Sequence, residues 1–236
     1  TMIVDYRDAA QMTRAARLLR DGQLVAFATE TVYGLGADAM NEQAVRSIFA
    51  AKGRPSDNPL IVHIYDLAQL DELCAAVPQS ARKMMEAFWP GPLTIVLPKR
   101  SAVPDVTTGG LDTVAVRMPD HPAAQALLRA CNRPVAAPSA NLSGLPSPTT
   151  AEDVLADMNG KIEMIVDGGA CRVGVESTVV DATREPVMIL RPGGVPQEML
   201  QEVLGQVAVH PAVLAPLQQG QKAASPGMKY KHYAPK

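Results

Sequence analysis

Leu24-Val-Ala-Phe-Ala28, followed at once by Thr29-Glu30-Thr31, sets the fold class. Five consecutive apolar residues leave no polar face, so the segment reads as a strand covered on both sides. Upstream, Met12, Ala15, Ala16 and Leu19 have the i, i+3, i+4, i+7 spacing of an amphipathic helix, and Gly22 is a fitting stop. Downstream, Asn41 is placed to cap a helix whose buried stripe includes Val45, Ile48 and Phe49. Residues 60–64 read as another buried strand, and residues 67–75 and 80–88 as helical. Short apolar runs follow at 93–97, 114–116, 134–137, 164–166, 178–180 and 187–190. Helical patterns at 121–130, 151–157 and 197–204 lie between or after them. Doubly apolar strands interleaved with helices indicate an α/β sheet covered on two faces. The later strands lack full helices between them, so the sheet is expected to be mixed.

Composition narrows the function classes. The chain has 236 residues, enough for one large domain with an appendage. Hydrophobic residues make up 47% and charged residues 19%, which allows a sizeable core and excludes wholesale disorder. Lys and Arg number 22 against 24 Asp and Glu, a net charge of −2. That balance argues against coating nucleic acid by bulk charge but leaves room for a local basic pocket. No apolar run approaches the ~18–20 residues that span a bilayer, and no basic-then-apolar signal pattern opens the chain, so no membrane role is expected. Cys74, Cys131 and Cys171 form no Cys-x-x-Cys signature and read as reduced, buried residues of a cytoplasmic protein. After residue 208 the periodicity fades and prolines recur, which divides the chain into a catalytic domain, 1–208, and a linker, 209–236. Within the linker, Ser225-Pro-Gly-Met-Lys-Tyr-Lys-His-Tyr-Ala-Pro235 gathers two tyrosines, a histidine and two lysines, the composition of a segment that docks.

Polar residues recur just after the apolar strands. Thr29-Glu30-Thr31 follows the first, Arg117 ends another, Ser139 and Asn141 follow a third, and Arg191-Pro-Gly-Gly194 follows a fourth. Open α/β sheets bind ligands beyond the carboxyl ends of their strands, so these residues are expected to share one pocket. Lys52-Gly-Arg-Pro55 sets two cations two residues apart at a helix end. They suit a polyphosphate, or they complement the negative helix C-terminus. Ser139-Ala-Asn-Leu-Ser-Gly144 offers hydroxyls and backbone N–H groups to an anion, or forms an ordinary turn. His63 shares a strand face with Ile61 and is either a satisfied structural residue or a site residue. Arg117, at a buried strand end, needs an anionic partner, either a structural acid or a substrate carboxylate. Ser177 either completes a turn or touches ligand. No phosphate-binding Gly-x-x-x-x-Gly-Lys loop, dinucleotide fingerprint, zinc spacing or Gly-x-Ser-x-Gly elbow occurs.

The ordered motif set resembles the YrdC-like family of L-threonylcarbamoyladenylate synthases. It comprises Thr29-Glu-Thr-Val-Tyr-Gly-Leu-Gly36, Lys52-Gly-Arg-Pro55, Asn58-Pro-Leu-Ile-Val-His63, Pro90-Gly-Pro-Leu-Thr94, Val116-Arg-Met-Pro119, Pro138-Ser-Ala-Asn-Leu-Ser-Gly144, Val175-Glu-Ser-Thr-Val-Val-Asp181 and Leu190-Arg-Pro-Gly193. The resemblance implies an open twisted mixed β-sheet with helices on both faces around a basic cavity. It implies condensation of L-threonine, bicarbonate and ATP into threonylcarbamoyl-AMP with release of pyrophosphate. A tRNA-modifying transferase complex would then move the product to tRNA adenosine 37.

By the same resemblance, Thr31, His63, Arg117 and Ser177 hold threonine. Lys52, Arg54, Asn58, Ser139, Asn141 and Arg191 hold ATP, and Lys52 and Arg54 carry the catalytic charge. Mg²⁺ is expected to arrive with ATP, with no protein ligands assigned. The Ser225–Pro235 stretch is similar to the linker of the longer, two-domain branch, which makes Lys229, His232 and Tyr233 a lid over the pocket. Only Lys236 follows Pro235, so the second domain of that branch is expected to be absent. A different class remains open: an RNA-binding module without adenylylation activity. The aromatic content of 4% and the net charge speak against tight nucleic-acid binding. A nearer rival is a carbamoyl-transfer domain of hydrogenase-maturation type.

Overall fold

The computed structural model describes residues 1–214. Its first half contains strand β1 (Met2–Asp5), helix α1 (Ala9–Arg20), β2 (Val25–Phe27), β3 (Gly34–Asp38), α2 (Glu42–Lys52), β4 (Ile61–His63), α3 (Leu70–Leu73), α4 (Gln79–Phe88), β5 (Leu93–Pro98) and α5 (Asp105–Thr108). Then follow β6 (Thr113–Arg117), α6 (Pro122–Cys131), β7 (Val135–Ala136), α7 (Ala151–Met158), β8 (Met164–Asp167), β9 (Thr178–Asp181), β10 (Val187–Arg191), α8 (Gln197–Leu204), β11 (Val207–Val209) and α9 (Pro211–Leu214). The strands form one open mixed sheet in the order β1-β8-β2-β3-β7-β4-β6-β5-β9-β10-β11. The 208/209 division falls inside β11, which pairs in parallel with β10. Among the described residues no helix is long and apolar enough to cross a membrane.

Local chemistry explains the elements. The Asp8 carboxylate accepts N–H bonds from Ala10 and Gln11 at the start of α1, and Asn41 caps α2 by accepting from Ala44. Thr150 and Asp153 form a reciprocal capping box on α7. All three residues of β2 are fully buried in the main core, so that strand is covered on both faces. That core draws on α1, α2, α4, α6, α7 and α8. Across β4, β5, β6, β9 and β10 the sheet has two unequal faces. Val62, Ile95, Val116, Val180 and Ile189 point into the main core. Ile61, Val96, Ala115, Val179 and Leu190 form a small cluster on the other face. Alternation places His63 with Ile61 and Arg117 with Ala115 on that second face.

Strand β3 is not among the strands that the sequence reading expects; there Gly34 and Gly36 figure only in the Thr29–Gly36 motif. Its glycines serve strand pairing. A Cβ at Gly36 would lie 2.9 Å from the Phe27 ring, 3.0 Å from Val135 Cγ1 and 3.1 Å from the Val25 carbonyl oxygen. The missing side chain lets β3 close against β2 beneath Phe27. β1 and β11 also escape sequence reading; both lie at sheet edges, and β1 is buried at one position in four. Gly36→Val is expected to destabilise the protein by about 1–3 kcal/mol through overpacking. Urea unfolding monitored by circular dichroism measures it, and an unchanged midpoint refutes this account of β3.

Candidate functional site

One cleft, about 630 Å³ counted out to open solvent, gathers residues from six separate stretches of chain. Thr29, Thr31 and Val32 come from the β2–β3 loop, Arg54 and Asn58 from the segment after α2, and His63 from β4. Arg117 ends β6, Ser139 follows β7, Glu176 and Ser177 precede β9, and Arg191 ends β10. Register explains much of this convergence. β4 and β6 run parallel with His63 opposite Arg117, and β4 pairs with β7 so that His63 also faces Val135. An isolated bridge between Gly34 and Ser139 draws the β7 loop over β3.

Arg117 is buried, at 3% exposure, and all three of its guanidinium nitrogens are engaged. Its Nη2 donates to Glu30 Oε1 at 2.5 Å, its Nη1 to Thr31 Oγ1 at 2.9 Å, and its Nε to the Gly91 carbonyl at 3.2 Å. The partner required by sequence reasoning is therefore a glutamate of this chain. A guanidinium has five N–H groups, so each terminal nitrogen retains a second N–H for a carboxylate entering the cleft. Ser177 Oγ lies 2.8 Å from Thr94 Oγ1, and Arg191 Nη2 donates to the Ser177 carbonyl at 2.9 Å and to its hydroxyl at 3.2 Å. The strand end that carries Arg191 is thereby tied to the one that carries Ser177.

The Lys52-Gly-Arg54 cations go to different places. Lys52, at 2% exposure, is off the cleft wall. Its Nζ donates to the carbonyls of Ser139 and of Asn141, the latter at 2.6 Å, and its own carbonyl accepts from Ser143 N at 3.1 Å. Lys52 thus holds the Ser139–Ser143 loop at both ends. Burial, and secondarily the charge of Arg54, push its pKa down to about 7. Gly53 turns the chain at φ 65°, in the left-handed region, and the next residue, Arg54, reaches the cleft over the Phe49 ring at 5.3 Å. Asn141 is likewise buried off the wall, and its amide nitrogen donates to the Leu142 and Leu145 carbonyls at 2.8 Å each.

The structure therefore brings Thr31, Arg54, Asn58, His63, Arg117, Ser139, Ser177 and Arg191 onto one wall and sets Lys52 and Asn141 behind it. Lys229, His232 and Tyr233 lie outside the described residues. Sequence reasoning placed Glu30 in the shared pocket, whereas the structure buries it behind the cleft wall, and it singled out neither Thr94 nor Glu176. Glu176 accepts from Ser147 Oγ at 2.6 Å and lines the cleft. Its signals were adjacency to Ser177 and a place in the Val175–Asp181 motif. Asn58 Oδ1 and His63 Nδ1 are buried without hydrogen-bond partners among the described residues, although both side chains line the cleft. An entering ligand can satisfy them.

His63 meets the Phe27 ring edge-on, with centroids 6.0 Å apart. Burial, and secondarily the positive charge of Arg117, push its pKa down to about 3. The imidazole is thus neutral near pH 7, with one donor and one acceptor nitrogen.

A family model for the Sua5, YciO and YrdC proteins, described as telomere recombination, matches residues 17–193. The chain belongs to this family. A second model, described as the C-terminal domain of threonylcarbamoyl-AMP synthase, matches residues 195–236. Threonylcarbamoyl-AMP synthase of Pyrococcus abyssi is 55% identical over all of this chain and 69% of its own length. The Bacillus subtilis protein of the same name is 54% identical over 95% of this chain and 64% of its own length. The chain thus spans about two thirds of the length of these two relatives. The structure of P. abyssi Sua5 complexed with L-threonine aligns over the whole chain and 69% of its own, with a TM-score of 0.94. Escherichia coli YciO, 23% identical with a TM-score of 0.75 over 84% of this chain and 97% of its own, shares the fold.

The depressed His63 pKa links protonation to stability. The unfolded imidazole, with a pKa near 6.5, takes up a proton before the folded one does. The contribution of His63 to stability is therefore full above pH 6.5 and is lost progressively as pH drops towards 3. Urea unfolding from pH 7 to 4 is expected to show a shallower pH dependence in His63→Gln. Identical slopes in the two proteins would contradict a buried neutral imidazole.

Proposed function

We propose that this chain catalyses formation of L-threonylcarbamoyl-AMP from L-threonine, bicarbonate and ATP, releasing pyrophosphate. The observation that carries the reading is convergence: three arginines, four short hydroxyl side chains, an asparagine and a neutral histidine from distant stretches line one cleft. The curated relatives named threonylcarbamoyl-AMP synthase, and the L-threonine complex of one of them, support the substrate class.

In this reading the threonine amine adds to the carbon of carbon dioxide and loses a proton, giving a carbamate; with bicarbonate, a C–O bond of the bicarbonate also breaks and the oxygen leaves as water. A carbamate oxygen then attacks the α-phosphorus of ATP, and pyrophosphate leaves. Both steps gain most from positioning and from neutralising anions. Arg117 offers its two remaining N–H groups to the threonine carboxylate, beside Thr31, His63 and Ser177. Arg54, Asn58, Ser139 and Arg191 face the nucleotide. Lys52 and Asn141 support that face from behind by shaping the loop that carries Ser139. Mg²⁺ enters with the triphosphate. Among the described residues no group of three His, Cys, Asp or Glu side chains offers it a protein cage. A cytoplasmic location, and delivery of the product to a tRNA-modifying transferase complex for adenosine 37, complete the proposal.

Incubation with ATP while omitting threonine or bicarbonate in turn tests it. Pyrophosphate release is expected to need both, and release indifferent to threonine overturns the assignment. Arg117→Met is expected to raise KM for threonine roughly 10- to 150-fold, the worth of a hydrogen bond to a charged group. KM for ATP should stay within about twofold, since Arg117 is assigned to the amino acid alone. Equal losses for both substrates would mean that Arg117 serves another partner.

A further inference from the structure

We infer that Glu30 is a positioning residue for the amino-acid subsite: its buried carboxylate aims the Arg117 guanidinium at the substrate carboxylate. The inference rests on the reading that Arg117 holds threonine. Glu30 lies off the cleft wall and is 0% exposed, yet its Oε1 is 2.5 Å from Arg117 Nη2. Glu30 and the next residue, Thr31, grip the two terminal nitrogens of one guanidinium, while the Gly91 carbonyl takes Nε. All three guanidinium nitrogens are thereby fixed, and the plane of the fork is set before any ligand arrives.

The cradle is itself pinned. Thr31 Oγ1 lies 2.9 Å from Thr29 Oγ1, which donates to the Val32 carbonyl at 2.6 Å. The carbonyls of Glu30 and Thr31 accept from Val173 N and Gly174 N at 2.8 and 3.1 Å. That same strand of chain leads directly to Glu176 and Ser177 on the cleft wall.

A fully buried ion pair is a poor choice if stability is its sole purpose, because apolar residues of similar volume often serve as well or better. This one also leaves Glu30 Oε2 buried and without a hydrogen-bond partner among the described residues. Such an orphan calls for an explanation outside stability. The explanation lies in the cleft. An unpaired guanidinium this deeply buried would be held poorly, whereas Glu30 compensates its charge and still leaves two N–H groups for a second carboxylate. Rotamer freedom that Arg117 would otherwise lose on binding is removed in advance.

The test is a double-mutant cycle on Glu30→Gln and Arg117→Met, with Glu30→Asp as a variant that keeps the charge but shortens the reach. Steady-state pyrophosphate release gives KM for threonine and for ATP, and thermal melts report folding. Glu30→Gln is expected to raise KM for threonine about tenfold and leave KM for ATP within about twofold. Glu30→Asp should fall between it and the parent protein. Adding Glu30→Gln to Arg117→Met should change KM for threonine no further and should recover stability, because both members of the pair are then neutral. If Glu30→Gln alone does not fold, the Asp variant and the double variant carry the comparison. A threonine KM unmoved by the Glu30 variants but raised by Arg117→Met overturns the role of Glu30 and leaves Arg117 in place. A threonine KM unmoved by Arg117→Met overturns the assignment of Arg117 and the inference with it. Equal rises for both substrates, or additive effects in the double variant, also overturn the inference, since either means that Glu30 does not act through Arg117.

Discussion

A guanidinium at the end of a central strand, 3% exposed, is the constraint around which this protein is arranged. An isolated buried charge is very costly, so Arg117 is tolerated only where acceptors surround it. Those acceptors come from two other parts of the chain: the β2–β3 loop supplies Glu30 and Thr31, and the turn before β5 supplies the Gly91 carbonyl. The three segments meet only if β2, β5 and β6 occupy their places in the mixed sheet. The interaction that equips the cleft thus also reports correct assembly of the sheet around it.

The same economy of charge runs through the rest of the site. Lys52 and Arg54 are two residues apart, but a single left-handed glycine separates their fates. One ammonium is committed to two carbonyls beneath the Ser139 loop, and one guanidinium faces the cleft. His63 contributes no charge near neutral pH, because burial and the neighbouring Arg117 both disfavour the imidazolium. The cleft therefore concentrates positive charge on arginines, whose rigid forks suit carboxylates and phosphates, and keeps its histidine as a neutral hydrogen-bonding group.

Membership of the Sua5, YciO and YrdC family fits this picture at two levels. The fold is shared with a solved structure only 23% identical, so the sheet order alone says little about chemistry. The cleft residues carry the functional argument, and they lie within the stretch that the family model matches.

Much of the fold was legible in the sequence. Helix α1 followed from periodicity and a glycine stop, α2 from its apolar stripe and the Asn41 cap, α6 from its helical pattern, and the doubly buried β2 from its unbroken apolar run. Strict alternation also gave the face of His63. Strand β3 was not legible, because glycine reads locally as a turn, and only the approach of Phe27 and Val135 makes its missing side chain a requirement for pairing. The ordered motifs named most of the cleft wall, yet Lys52 and Arg54 looked equivalent on paper. Their division depends on which cation the Ser139 loop covers. Glu30 was visible only as a polar residue after a strand. The sequence by itself determined which segments are helix and strand and which side chains carry charge, because those follow from local periodicity and residue chemistry. The tertiary structure alone decided which charges meet, since pairing register and burial bring Glu30 to Arg117 across 87 positions of chain.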